Sequence, residues 1–85
     1  MSRHHFALSD GFSSVVKQHR EAQGLSRSAL AEKSGLHQTY IGLLEKGQRS
    51  PNLDTANAIA RALQIPLSGL IAEAEATQKY FVKNG

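Results

Sequence analysis

Glycine and proline recur at near-even intervals, and this punctuation limits the fold more than any other feature of the chain. Gly24, Gly35, Gly47, Pro51 and Pro66 cut the sequence into stretches of helical length. No stretch alternates apolar and polar residues as a half-buried strand does, and alanine and leucine dominate the apolar set, which favours helix. The pattern predicts an all-α chain: five short helices in one compact layer. At 85 residues it amounts to one small domain. Without cysteine there is no disulfide framework and no thiolate metal site, so apolar packing must hold the fold, alone or with a second copy of the chain.

The individual segments follow from spacing and caps. The first is expected from about Asp10 to Gln23, with Ser9 or Asp10 as cap, Phe12, Val15, Val16 and Arg20 on one face, and Gly24 as a left-handed stop. The second starts at Ser26, a good N-cap, turns Leu30 and Ala31 inward, and ends before Gly35. The third runs from His37 or Gln38 to Lys46, with Ile41 and Leu44 buried and Gly47 after it. The fourth follows Asn52 as cap, with Leu53, Ala56, Ile59, Ala60 and Leu63 as its apolar stripe. The fifth opens at Pro66, tolerated in a first turn, and presents Leu67, Leu70, Ile71 and Ala74. Beyond Glu73 two continuations are open: more of the same helix, or a short extended piece at Tyr80-Phe81-Val82. The expected organisation is an N-terminal arm at 1–9, a folded unit at 10–73 and a C-terminal extension at 74–85.

Charge is unevenly placed. Of ten Lys/Arg and seven Asp/Glu, seven basic and four acidic residues lie up to Pro51, and three of each follow. The whole formal excess of +3 therefore sits in the first part, which points to a polyanion partner. The apolar runs are too short to span a membrane, and Met1 to Leu8 lacks the apolar core of a signal peptide, so a cytoplasmic setting is expected.

The segment from Arg27 to Lys46 carries the most information. Two helices that cross steeply over a short turn need a small residue at their contact, which Ala31 supplies. The turn needs a residue that accepts positive φ, which is Gly35, and the second helix needs a branched apolar anchor, which is Ile41. This is the spacing of a helix-turn-helix, whose second helix lies in the major groove of DNA.

The run from Gly24 to Pro51, GLSRSALAEKSGLHQTYIGLLEKGQRSP, resembles the Cro and lambda-repressor-like (Xre-type) family, and Ile59-Ala60-Arg61-Ala62-Leu63 resembles that family's fourth helix. The resemblance covers roughly residues 10 to 73. It implies a five-helix lambda-repressor-like domain that binds double-stranded DNA sequence-specifically as a transcriptional regulator. It also implies that Arg20 and Glu45 pair internally and lock the third helix against the first; the other reading of these two is unrelated exposed charges, worth little.

With Ile41 and Leu44 inward, Gln38, Thr39, Gly42 and Leu43 lie outward or at the rim of the third helix. Gln38, Thr39 and Leu43 match base-reading positions of phage repressors in the family. Gln38 can bond the N7 and N6 edge of adenine, Thr39 offers a hydroxyl and a methyl, and Leu43 can meet a thymine methyl. Gly42 departs from the family pattern and either permits close backbone approach or forgoes a contact. Tyr40 is expected to pack at the domain edge, with its hydroxyl near a phosphate. Ser26 and Arg27 at the start of the second helix are candidate phosphate contacts, as are Lys46, Gln48, Arg49 and Ser50 after the third. Lys17 and Lys33 read as solvated charges.

Catalysis is not expected, because no nucleophile with a base and no ligand-spaced metal cluster is present; neither a metal nor a cofactor is expected. His4-His5 are adjacent, and His19 and His37 lack spaced partners. A protein-interaction adapter on the same fold is the alternative, but it would carry acidic or bulky apolar residues on the third helix. Repressor, restriction–modification controller and antitoxin all remain open as roles, and no small-molecule ligand is expected. The second partner expected is another copy of the chain. One domain reads few base pairs, and Leu67, Leu70, Ile71, Tyr80, Phe81 and Val82 offer apolar surface for a homodimer seam.

Overall fold

A computed structural model describes residues 7–84, with side chains described over residues 8–77; the expected arm up to Phe6 and the side chains of Tyr80, Phe81 and Val82 lie outside these residues. Among the described residues there are five helices in succession and no strand: α1 (Ala7–Ala22), α2 (Arg27–Ser34), α3 (Gln38–Glu45), α4 (Leu53–Leu63) and α5 (Leu67–Asn84). Among the described residues no helix is long and apolar enough to cross a membrane.

Caps set several of the boundaries. The Ala29 N–H donates to Ser26 Oγ at 2.9 Å and the Thr55 N–H donates to Asn52 Oδ1 at 2.8 Å, so each cap satisfies an amide that the first helical turn leaves free. Gly35 adopts φ 78° and lets its own N–H and that of Leu36 bond the Ala31 carbonyl, which closes α2 and turns the chain into α3. Gln64 ends α4 at φ 61° without being glycine. The Gln23 side chain donates to the Leu63 carbonyl at 2.8 Å and so joins the ends of α1 and α4.

The core comprises Phe12, Val15 and Val16 from α1, Leu30 and Ala31 from α2, Ile41 and Leu44 from α3, Ala56, Ile59, Ala60 and Leu63 from α4, and Leu70 and Ala74 from α5. The most extensive helix contact is between α1 and α5. Its closest approach is at Gly11, where a Cβ would lie 2.7 Å from the Ala74 carbonyl oxygen. His19 Nε2 reaches both Glu73 carboxylate oxygens, at 3.0 and 3.2 Å, across the same pair of helices.

Three expectations need correction, and one open alternative is settled. The first helix begins at Ala7, so Ser9 and Asp10 lie inside it and neither caps it. Leu53 is not part of the core stripe: as the first residue of α4 it is 76% exposed, because the stripe turns inward only from Ala56. Leu70 is fully buried within its own domain, beside Ala74, which removes it from any surface seam, whereas Leu67 and Ile71 are only partly buried. Of the two continuations open beyond Glu73, the helical one is found: α5 runs on through residues 80–82 to Asn84.

Candidate nucleic-acid interface

The start of α2 and the end of α3 meet where Arg27 bonds Glu45, and the loop from Lys46 to Asn52 follows α3 directly. Helix α3 is fixed from behind. Ile41 and Leu44 are fully buried, and Glu45, the last residue of the helix, is tied to α1. Its carboxylate accepts from Arg20 Nε at 2.6 Å and from Arg20 Nη2 at 3.0 Å, while Arg20 Nη1 donates to the Leu25 carbonyl at 2.7 Å. Side-chain exposure is 10% for Arg20 and 1% for Glu45, so the fork-to-fork pair is largely shielded from water. Desolvation pushes the Glu45 carboxyl upward, but the hydrogen bonds and charges of Arg20 and Arg27 outweigh it and hold the group below its ordinary range. The Glu45 hydrogen bond holds the Arg20 guanidinium in its charged form.

With that face buried, Gln38 and Thr39 are exposed on α3 and Leu43 and Gly42 are half-buried beside them. The two polar residues thus stand on the first turn, with the leucine one turn further along the same side. Gly42 has open space where a side chain would be: a Cβ there meets nothing within 4 Å. His37 precedes the helix without a side-chain capping bond.

The flanks are polar and basic. Lys46, Gln48, Arg49 and Ser50 are all exposed, and neither Lys46 nor Arg49 has a carboxylate partner among the described residues. Gly47 turns the chain at φ 76°, and the Gln48 N–H closes the end of α3 on the Leu43 carbonyl at 2.9 Å. Ser50 is not wholly free, since its hydroxyl donates to Ser9 Oγ at 3.2 Å and so links the loop to α1. Tyr40 is half-buried at the edge; burial raises its hydroxyl pKa and the positive charge of Arg49 opposes the rise. At the other flank Ser26 caps α2 with its oxygen, and Arg27 donates from Nε to Glu45 Oε1 at 3.1 Å. The sequence marks Arg27 only as a candidate phosphate contact; its pairing with Glu45, eighteen positions later, has no local signal.

A helix-turn-helix family model (HTH_3) matches residues 16–70. Control protein C.SmaI of Serratia marcescens is 41% identical over 56 residues, covering 66% of this chain and 67% of that protein. The crystal structure of the restriction–modification controller protein C.AhdI from Aeromonas hydrophila superposes with a TM-score of 0.70 at 37% identity, over 73% of this chain and 94% of that one. The controller protein C.Esp1396I, solved as a tetramer on its natural 35 base-pair operator, gives a TM-score of 0.77 at 25% identity, over 84% of this chain and 93% of that one. The α2–turn–α3 geometry, the buried anchors behind α3 and a family match across most of the chain make it a member of the Xre/Cro-like helix-turn-helix (HTH_3) family.

Proposed function

We propose that this protein is a sequence-specific, double-stranded DNA-binding transcriptional regulator that places α3 in the major groove. One observation carries the reading: α3 is clamped from behind by Ile41, Leu44 and the Arg20–Glu45 pair, while its outer face carries free polar side chains, Gln38 and Thr39, between two basic flanks. A rigid helix with unspent hydrogen-bonding groups suits base edges. Exposed Lys46 and Arg49, with Gln48 and Ser50, suit the phosphates that fix its register, as do Ser26 and Arg27 on the opposite flank. Leu43 supplies apolar contact beside Gln38 and Thr39. Similarity to C.SmaI and C.AhdI, a control protein and a restriction–modification controller, favours a controller role over that of prophage repressor or antitoxin.

The working form in this reading is a homodimer on a palindromic operator in the cytoplasm. Half-sites on one face of the duplex lie about 34 Å apart, a spacing that two copies related by a two-fold axis can match. Partly buried Leu67 and Ile71 on α5 remain as seam candidates.

Selection of bound duplexes from a random pool, followed by titration at several salt concentrations, tests the reading. A defined motif should emerge, with affinity falling steeply as salt rises. Gln38→Ala should cost about 1–3 kcal/mol on that motif and relax preference at one position, whereas Arg49→Ala should weaken all duplexes alike. Equal binding to every duplex, or indifference to salt, would sink the proposal.

A further inference from the structure

Glu45 has more donors aimed at it than the α1–α3 clamp requires. Arg20 alone supplies two bonds to the carboxylate, and with Nη1 on the Leu25 carbonyl its own groups are engaged and buried. Arg27 adds a third bond from Nε at 3.1 Å. Two guanidiniums share the Glu45 carboxylate, while Glu21 adds a second, looser contact to Arg20 alone, 3.8 Å from Nη2. The guanidinium left with only a shared counter-charge is therefore that of Arg27, whose side chain is 40% exposed against 10% for Arg20. The two Nη groups of Arg27 have no hydrogen-bond partner among the described residues, and Arg27 opens α2 directly after the Ser26 cap. A guanidinium is planar, so anchoring Nε to a buried, immobile acceptor fixes the plane in which the remaining donors lie.

We propose that Glu45 is a positioning residue for DNA binding: through Nε it orients Arg27 so that the Nη edge meets a backbone phosphate at the start of α2. The inference rests on the DNA-binding reading and extends it, since a residue that never touches DNA sets one of its contacts. The ordering entropy of a long side chain is then paid on folding rather than on binding. Charge alone gives the opposite expectation: removing the negative charge of Glu45 should strengthen binding to a polyanion.

The experiment uses the full chain and the duplex selected from the random pool. Dissociation constants are measured across a salt series for wild type, Arg27→Lys, Arg27→Ala, Glu45→Gln and the double variant Glu45→Gln/Arg27→Ala, with melting temperatures alongside. Arg27→Lys keeps the charge but cannot hold Glu45 with one donor and a phosphate with a planar pair. It should lose about tenfold in affinity, close to the loss in Arg27→Ala, for one charge-assisted hydrogen bond. The slope of log K against log salt should fall by about one unit in Arg27→Ala. Glu45→Gln should weaken binding clearly more in the wild-type background than in Arg27→Ala, where only the weakened clamp between α1 and α3 remains to be felt. Wild-type affinity and slope in Arg27→Lys would overturn the proposal, even if Glu45→Gln fails to fold. Tighter binding by Glu45→Gln, or an equal loss in both backgrounds, would also overturn it. Failure of the wild type to select any duplex is a different outcome, which removes the DNA-binding reading itself.

Discussion

One methyl group at Gly42 should move stability and binding in opposite directions. Gly42 lies inside α3, outside the set of glycines with positive φ, and a Cβ built on it meets nothing within 4 Å. The domain therefore derives no packing benefit from glycine there, yet bears its conformational entropy. Gly42→Ala should stabilise the fold by about 0.5–1 kcal/mol, the difference between the two residues in a helix interior. For a domain of this size that raises the melting temperature by about 2–8 °C. On DNA the sign reverses. In the proposed complex the added methyl would stand beside Thr39 and Leu43, on the face of α3 turned to the major groove. An intrusion of that size costs about 1–3 kcal/mol where packing is close, or about fivefold and more in affinity. Thermal melting by circular dichroism and duplex titration of the same preparation measure both arms. A lower melting temperature would refute the entropic argument. A higher one with undiminished affinity would show that DNA does not approach the α3 backbone at this point.

The other perturbations are simpler. Gly11→Ala, also within a helix, should destabilise by about 1–3 kcal/mol, because its Cβ would lie 2.7 Å from the Ala74 carbonyl oxygen and α1 and α5 would have to separate; an unchanged urea midpoint would refute the close contact. Glu45→Ala should cost about 3–5 kcal/mol by leaving the buried Arg20 guanidinium without its counter-charge, and a melting temperature equal to wild type would contradict it. The folded-state pKa of Glu45 is depressed, so its contribution is present above the ordinary carboxylate range and is lost as pH falls through the lower folded value. Acid unfolding monitored by fluorescence or circular dichroism should therefore flatten between those two limits in Glu45→Gln relative to wild type. Removing residues 78–85 retains Ala74 and the Glu73 contact with His19, and should yield a folded chain that binds palindromes less cooperatively. Sedimentation showing one unchanged oligomeric state would exclude that end of α5 from the seam.

Much of the fold was legible in the sequence because the signals act over a few residues. Ser26 and Asn52 cap amides within their own first turns, and Gly35 supplies a left-handed residue where α2 ends. The small residue, the glycine and the branched residue at Ala31, Gly35 and Ile41 state a helix pair before any long-range contact is known. The outer face of α3 followed by subtraction once Ile41 and Leu44 were placed inward. Other features depended on where helices come to rest against one another. Gly11 and Gly42 are alike as helical glycines, yet one lies against the Ala74 backbone and the other faces open space. Leu53 and Leu63 share a heptad-like pattern, but only the second reaches the core. Leu70 looked like surplus apolar surface because the demand of α1 for a partner cannot be counted along the chain. Arg27 and Glu45 meet only because folding brings the start of α2 to the end of α3. Caps and turns are decided by hydrogen bonds within reach of one turn, so sequence determines them; burial and ion pairing are decided by the crossing of distant helices, which only the tertiary structure sets.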